Sequence, residues 1–305
     1  MKLVIVGGVA GGASAATRAR RLSEHAEIIL LERGPYVSFA NCGLPYHIGE
    51  IIPQRNKLLV ATVERLREFF RLDVRIQNEV ISLDRSKKLV QVLDRQKNLR
   101  YTESYDKLIL APGAAPIRPN FPGSTLNGVH VLRTLEDTDA IKQAVDRGAK
   151  SSVIVGAGFI GLELAENLIH RGLHVTIVEL SEQILGPFDE EMTKPIVTVL
   201  KDKGADIHLG SCAESIQQTQ SGLRVQLHQG ICLEASLVIL GIGIKPENQL
   251  ATAAGLETGI RGGIRVNTHM QTSDPDIYAA GDVVETDDFI TQERIQVPLA
   301  GPANR

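Results

Sequence analysis

The sequence predicts an α/β fold built from two copies of one strand–turn–helix–strand unit. Residues 2–16 read KLVIVGGVAGGASAA and residues 151–165 read SSVIVGAGFIGLELA, each an aliphatic strand entering a glycine-rich turn and then a helix. About 20 residues past each turn a second aliphatic strand closes on an acidic residue, EIILLE at Glu32 and HVTIVE at Glu179. At 305 residues the chain has room for two domains of about 150 residues each.

Taken in order, each element has a physical reason. In such a turn the first glycine bends the chain, the second lets backbone N–H groups approach a pyrophosphate, and the third lets helix and strand pack closely. The helix N-terminus then favours phosphate charge. The second copy, Gly156-x-Gly158-x-x-Gly161, is complete, with Phe159 and Ile160 in the variable positions. The first runs Gly7, Val9, Ala10, Gly12, so Val9 stands where closest approach is usual; Gly8 and Gly11 are candidates to compensate. A carboxylate at Glu32 or Glu179 is placed to take the hydroxyls of an adenosine ribose. One such motif also reads as an ordinary helix cap, but two with their acids imply two bound adenine dinucleotides.

The segments between carry a second repeat. KLILAPGAAP (107–116) and SLVILGIGIKPEN (236–248) are buried strands ending in glycine turns, and TSDPDIYAAGDVVE (272–285) is a short strand ending in Gly281-Asp282. Alone, each reads as a core strand of any α/β fold. Their alternation with the motifs makes the pattern specific.

Composition narrows the class. Thirty-three basic against 36 acidic residues give a net charge of −3, which points to no nucleic-acid or anionic-membrane partner. Trp is absent and aromatics are 4%, against a stacking platform for single strands. The uncharged run Leu3–Thr17, with Ala13-Ser14-Ala15 inside it, imitates a secretory signal, but four glycines interrupt it and the first motif explains them. Cys42, Cys212 and Cys232 suggest neither a disulfide framework nor a zinc site, so a reducing cytoplasm is expected and no metal.

With these motifs in hand, the chain resembles the FAD-dependent pyridine nucleotide–disulfide oxidoreductases over essentially its whole length. That resemblance implies a three-layer FAD/NAD(P)-binding fold of two Rossmann-like domains, the NAD domain inserted in the FAD domain. It implies FAD at the first motif and NAD(P)H at the second. The expected boundaries are 1–113 with 248–305 for FAD and 114–247 for NAD(P). Asp282 takes the role of the ribityl-binding aspartate, and Arg133 resembles a flavin-contacting arginine at the crossover. Glu32, Arg33, Val80, Ala111 and Gly113 join the FAD side, and Glu163, Glu179 and Gly243 the nucleotide side. Pro298, Leu299 and Ala300 resemble residues whose backbone meets the flavin pyrimidine. Glu179 favours NADH, because a carboxylate repels a 2′-phosphate. Phe159 is a candidate flavin cover or a packing residue, and Glu163 a nicotinamide-side group or a surface residue.

VSFANCGLPYHIGE (37–50) holds one cysteine where dithiol enzymes of the family carry two, so an internal Cys–Cys pair is excluded. A lone thiol stores oxidising equivalents as a mixed disulfide, a persulfide or a sulfenic acid. Cys42 stands just before an apolar helix start, a setting that favours thiolate. SFANCGLPY resembles the coenzyme A–disulfide reductases and related persulfide reductases, which makes Cys42 the catalytic thiol and Ser38 and Asn41 substrate contacts. It also puts Arg18 and Arg21 on coenzyme A phosphates, although Arg18, Arg20 and Arg21 read equally as a solvated helix face. The expected substrate is a coenzyme A disulfide or persulfide. The alternatives are an NADH oxidase or peroxidase cycling Cys42 through sulfenic acid, and a truncated nucleotide-binding protein. Relatives continue past Arg305 into a domain that builds a homodimer, so that dimerisation domain is expected to be absent here.

Overall fold

The structure, a computed structural model, describes residues 1–297. Its helices are α1 (Ala10–Leu22), α2 (Leu44–Ile48), α3 (Val63–Glu68), α4 (Leu135–Asp146), α5 (Phe159–His170), α6 (Glu190–Asp202) and α7 (Gln249–Ala253). The chain divides into two units, residues 1–40, 59–115 and 245–305 in one, and 41–58 with 116–244 in the other. The segment 41–58, which the sequence reading kept with the first domain, thus groups with the second.

The first unit is centred on a five-stranded sheet in the order Ile277–Ala279, Lys107–Leu110, Lys2–Val6, Glu27–Glu32, Asp73–Ile76, parallel throughout. Successive side chains on a strand point to opposite faces, and here both faces are buried. Val4, Val6, Ile29 and Leu31 pack under a three-stranded antiparallel meander (Asn78–Asp84, Leu89–Asp94, Leu99–Ser104), which contributes Val80, Val90 and Val92. Leu3, Ile5, Ile28 and Leu30 face Ala16 of α1 and Leu66 of α3. Burying each such aliphatic side chain contributes about 1.5–3 kcal/mol. Three layers result, as the resemblance implied.

The second unit repeats the plan. Its parallel sheet runs Asp206–His208, His174–Val178, Ser151–Val155, Leu237–Leu240, Val129–His130. A meander (Ala213–Gln218, Leu223–Leu227, Cys232–Ala235) covers one face through Ile216, Val225 and Leu227, and α5 packs on the other. Among the described residues no helix is long and apolar enough to cross a membrane.

Candidate active site

Each glycine motif is closed by contacts that admit no side chain. Gly7 and Gly156 sit at φ +96° and +106°, where a Cβ would lie 2.1 Å from the Ala111 carbonyl oxygen and 2.4 Å from that of Gly241. A Cβ on Gly12 would stand 1.8 Å from the Gly7 oxygen, and one on Gly161 2.1 Å from the Gly156 oxygen. The third glycine of each motif is therefore a packing requirement. Gly113 and Gly243 occupy matching turns, at φ +78° and +118°.

Both acids are fixed by the turn they follow. Glu32 accepts from Gly8 N–H and Gly34 N–H, each at 2.7 Å. Glu179 accepts from Ala157 N–H at 2.7 Å and Ser181 N–H at 2.9 Å. Each carboxylate oxygen keeps lone pairs free for a further donor. The helices that open at the motifs, α1 behind Val9 and α5 behind Gly158, have no side-chain cap, whereas Thr62 and Thr134 cap α3 and α4. Their first N–H groups are left for another acceptor.

The expected compensation for Val9 takes a different form. Gly8 matches Ala157, and its missing Cβ makes room for Glu32 and Val37, not for a ligand. Gly11 admits the backbone of Ala280 and Gly281, 3.2 Å from where its Cβ would be. A Cβ on Gly158, by contrast, would meet nothing within 4 Å. Elsewhere in the first unit Val80 lies in the apolar core, Arg33 pairs with Glu247, and Gln296 donates to the Asp282 carbonyl. In the second, the Arg133 N–H donates to Asp137. Pro298, Leu299 and Ala300 lie outside the described residues.

Cys42 occupies a short 3-10 turn, Asn41–Gly43, that leads directly into α2, and it is exposed. The neighbouring Asn41 Oδ1 is buried with no hydrogen-bond partner, an acceptor waiting for a donor. His47 is buried, its Nδ1 2.7 Å from the Ile52 carbonyl oxygen, which fits a ring that packs and does not shuttle protons. Cys212 lies in the turn before Ala213–Gln218 and not in a strand, while Cys232 opens its strand with Sγ 3.0 Å from Gln226 Oε1.

A cavity of about 630 Å³ opens beside α5, lined by Tyr46, Phe159, Glu163, Glu166, His170 and Lys203 among others. Glu163 is therefore no free surface residue. Burial, and then the Glu166 carboxylate, pushes the Glu163 carboxyl above its ordinary range. Burial also raises Tyr46, with Glu163, Glu166 and Cys42 adding to it. Phe159 is half exposed and meets Phe188 edge-on at 6.0 Å. Tyr46 and Glu166 were not singled out in the sequence, since a tyrosine and a glutamate on helix starts carry no local signature.

The basic run of α1 separates into two kinds. Arg20 is structural, donating to the carbonyls of Phe70, Ser23, Glu24 and Arg71. Arg18 and Arg21 are exposed, with Arg21 6.0 Å above the Phe70 ring. Ser38 sits at φ +45°, its N–H donating to Gly8 and its carbonyl accepting from Val60 and Ala61.

Comparison with known proteins places this arrangement. The family model described as pyridine nucleotide-disulphide oxidoreductase matches residues 1–300. The coenzyme A disulfide reductase of Staphylococcus haemolyticus is 37% identical over all 305 residues, which span 68% of that relative. The solved structure of reduced CoADR-RHD from Bacillus anthracis superposes with a TM-score of 0.96 at 45% identity, over 99% of this chain and 54% of that one. A NAD-dependent persulfide reductase from A. fulgidus gives 0.96 at 35% identity, over 100% of this chain and 57% of that one. The chain thus spans little more than half the length of the two solved proteins.

Proposed function

The chain belongs to the pyridine nucleotide-disulphide oxidoreductase family, and from that premise we propose that it is a flavoprotein reductase that draws electrons from NADH to reduce a coenzyme A disulfide or persulfide through Cys42. The observation that carries the reading is the single exposed thiol opening α2, in a chain with two nucleotide turns and no second cysteine nearby.

The residues present fit both cofactors. Gly7 and Gly12 shape a turn no side chain could enter, and the uncapped start of α1 offers N–H groups to the FAD pyrophosphate, with Glu32 held for its ribose. Gly156, Gly158, Gly161 and Glu179 do the same for NADH, and the open space at Gly158 suits closest approach. Bound FAD supplies the two-electron relay between nicotinamide and sulfur.

The chain's own part is sulfur chemistry. The Cys42 thiolate attacks one sulfur of the disulfide, forming a Cys42–coenzyme A disulfide while the other coenzyme A leaves as thiolate and takes a proton. Two electrons and a proton from NADH then break the new S–S bond, free the second coenzyme A thiol, and restore the Cys42 thiolate. Asn41, with its orphaned buried oxygen, and Ser38 are placed beside Cys42 in sequence to orient the pantetheine arm. Arg18 and Arg21, three apart on one face of α1, offer guanidinium groups to its phosphates.

The test is a paired assay of NADH loss and thiol appearance with coenzyme A disulfide and with a persulfide. Thiol formed in step with NADH, and lost in Cys42→Ser, is the expected result. NADH loss in air without thiol would replace this reading with an oxygen-reducing one.

A further inference from the structure

We propose that Arg171 is a positioning residue for Cys42: by gripping the C-terminal end of α2 from the C-cap of α5, it fixes the orientation of the short helix whose leading turn carries the thiol. This rests on the reading of Cys42 as the redox thiol.

The need for such a grip follows from length. Helix α2 has 5 residues, far below what is stable alone in water, so its direction is set by tertiary contacts. Cys42 itself is exposed, and the anchors lie at the other end. Arg171 Nη1 donates to the Ile48 carbonyl at 2.8 Å, a cation on the negative end of the helix. Its Nη2 donates to Asp146 at 2.7 Å, and Glu50, at φ +63°, is 3.7 Å from Nη1. Lys142 closes the group, 3.0 Å from Glu50 and 3.1 Å from Asp146. The two cations are 17% exposed and balance the two carboxylates, so the charges are paired where they are least hydrated.

Two further contacts hold the same segment. A Cβ on Gly49 would lie 2.0 Å from Asn167 Oδ1, so α2 ends flush against α5. Beyond it, Arg55 makes a forked pair with Asp139 of α4, with Nε–Oδ1 and Nη2–Oδ2 both 2.7 Å. Sequence places 41–58 between strands of the first unit; these contacts are why it groups with the second.

The distance along α2 converts the anchor into a lever. At 1.5 Å per residue the helix is about 7 Å long, so a tilt of about 8° at the gripped end moves the thiol end by about 1 Å. Misplacement on that scale can cost about 100-fold in rate. Asn167 and Arg171 belong to the end of α5 whose first turn carries the nucleotide motif, so one rigid helix serves both positions.

The experiment compares the full native chain with Arg171→Ala, Arg171→Lys and Asp139→Asn. It reads kcat and KM for NADH, and separately the rate at which iodoacetamide alkylates Cys42, followed by peptide mass. Arg171→Ala is expected to lower kcat by about 10- to 100-fold, leave KM for NADH within about twofold, and change the Cys42 alkylation rate. Arg171→Lys should recover most of both, since an ammonium can still meet Ile48 and Asp146. Asp139→Asn should shift both readouts the same way by less, and it decides the matter if Arg171→Ala does not fold. Unchanged kcat and alkylation with only a lower melting temperature would overturn the proposal, as would a rise in KM for NADH alone. Alkylation needs no turnover, so a chain inactive on coenzyme A disulfide refutes the proposed function while this comparison still stands or falls alone.

Discussion

The two units share a sheet order, a meander and a glycine turn answered by a carboxylate, yet they differ in what joins their second and third strands. In the first, residues 33–72 carry Ser38, Cys42, α2 and α3; in the second, residues 179–205 carry α6. The repeated parts are those whose geometry tolerates no change, down to a Cβ that would stand about 2 Å from a backbone oxygen in both copies. The unrepeated part holds the thiol. Binding is thus a property of the duplicated scaffold, and chemistry of one insertion.

The sharpest way to break that comparison is Cys42→Ser, which should cut disulfide-dependent thiol release by about 10³-fold or more while both nucleotides still bind. Absorbance of bound flavin and quenching by NADH check the second half. Next, Gly12→Ala and Gly161→Ala each force a Cβ into a backbone oxygen. Overpacking of this kind should cost about 1–3 kcal/mol in denaturant melts. Gly12→Ala should lose flavin and Gly161→Ala should lose NADH, and the reverse pairing would undo the assignment of the motifs. Replacing Glu179 by Ala should move the NADPH-to-NADH ratio of kcat/KM by about tenfold, equivalent to about 1.4 kcal/mol, whereas Glu32→Ala should leave that ratio alone.

The smallest effect is electrostatic. A carboxyl raised by burial favours its protonated form, so Glu163 contributes stability that is present below its ordinary value of 4.5 and lost as pH rises through the raised one. Glu163→Gln removes the charged form, so it should raise the melting temperature slightly at pH 7 and lose that advantage at pH 4. The clasp on α2 has the opposite sign. Lys142 holds Glu50 and Arg171 holds Asp146 below the usual carboxylate range, so their contribution is present at neutral pH and lost as acid protonates them.

Much of this was legible in the chain itself, for local reasons. A glycine turn between an aliphatic strand and a helix is written in consecutive residues, as is an acid closing the next strand, and both copies stand where the sequence put them. The meanders were not singled out, because strands such as LRYTES and AESIQQ are half polar and carry no turn motif of their own. The grouping of 41–58 was out of reach for a different reason: its partners Asp139, Asn167 and Arg171 lie roughly 80 to 120 residues away, with no periodicity linking them. Likewise nothing local tells Arg20, spent on four carbonyls, from Arg18 beside it.

The central claim is that Cys42 is the thiol through which electrons leave the nucleotide scaffold. Anaerobic titration of the FAD-loaded chain with NADH in the presence of coenzyme A disulfide, counting thiol released, tests it most directly. The native chain should take up reducing equivalents beyond those its flavin accepts and release coenzyme A thiol in proportion, while Cys42→Ser should take up only the flavin's share and release none. Equal thiol release from Cys42→Ser would contradict the account.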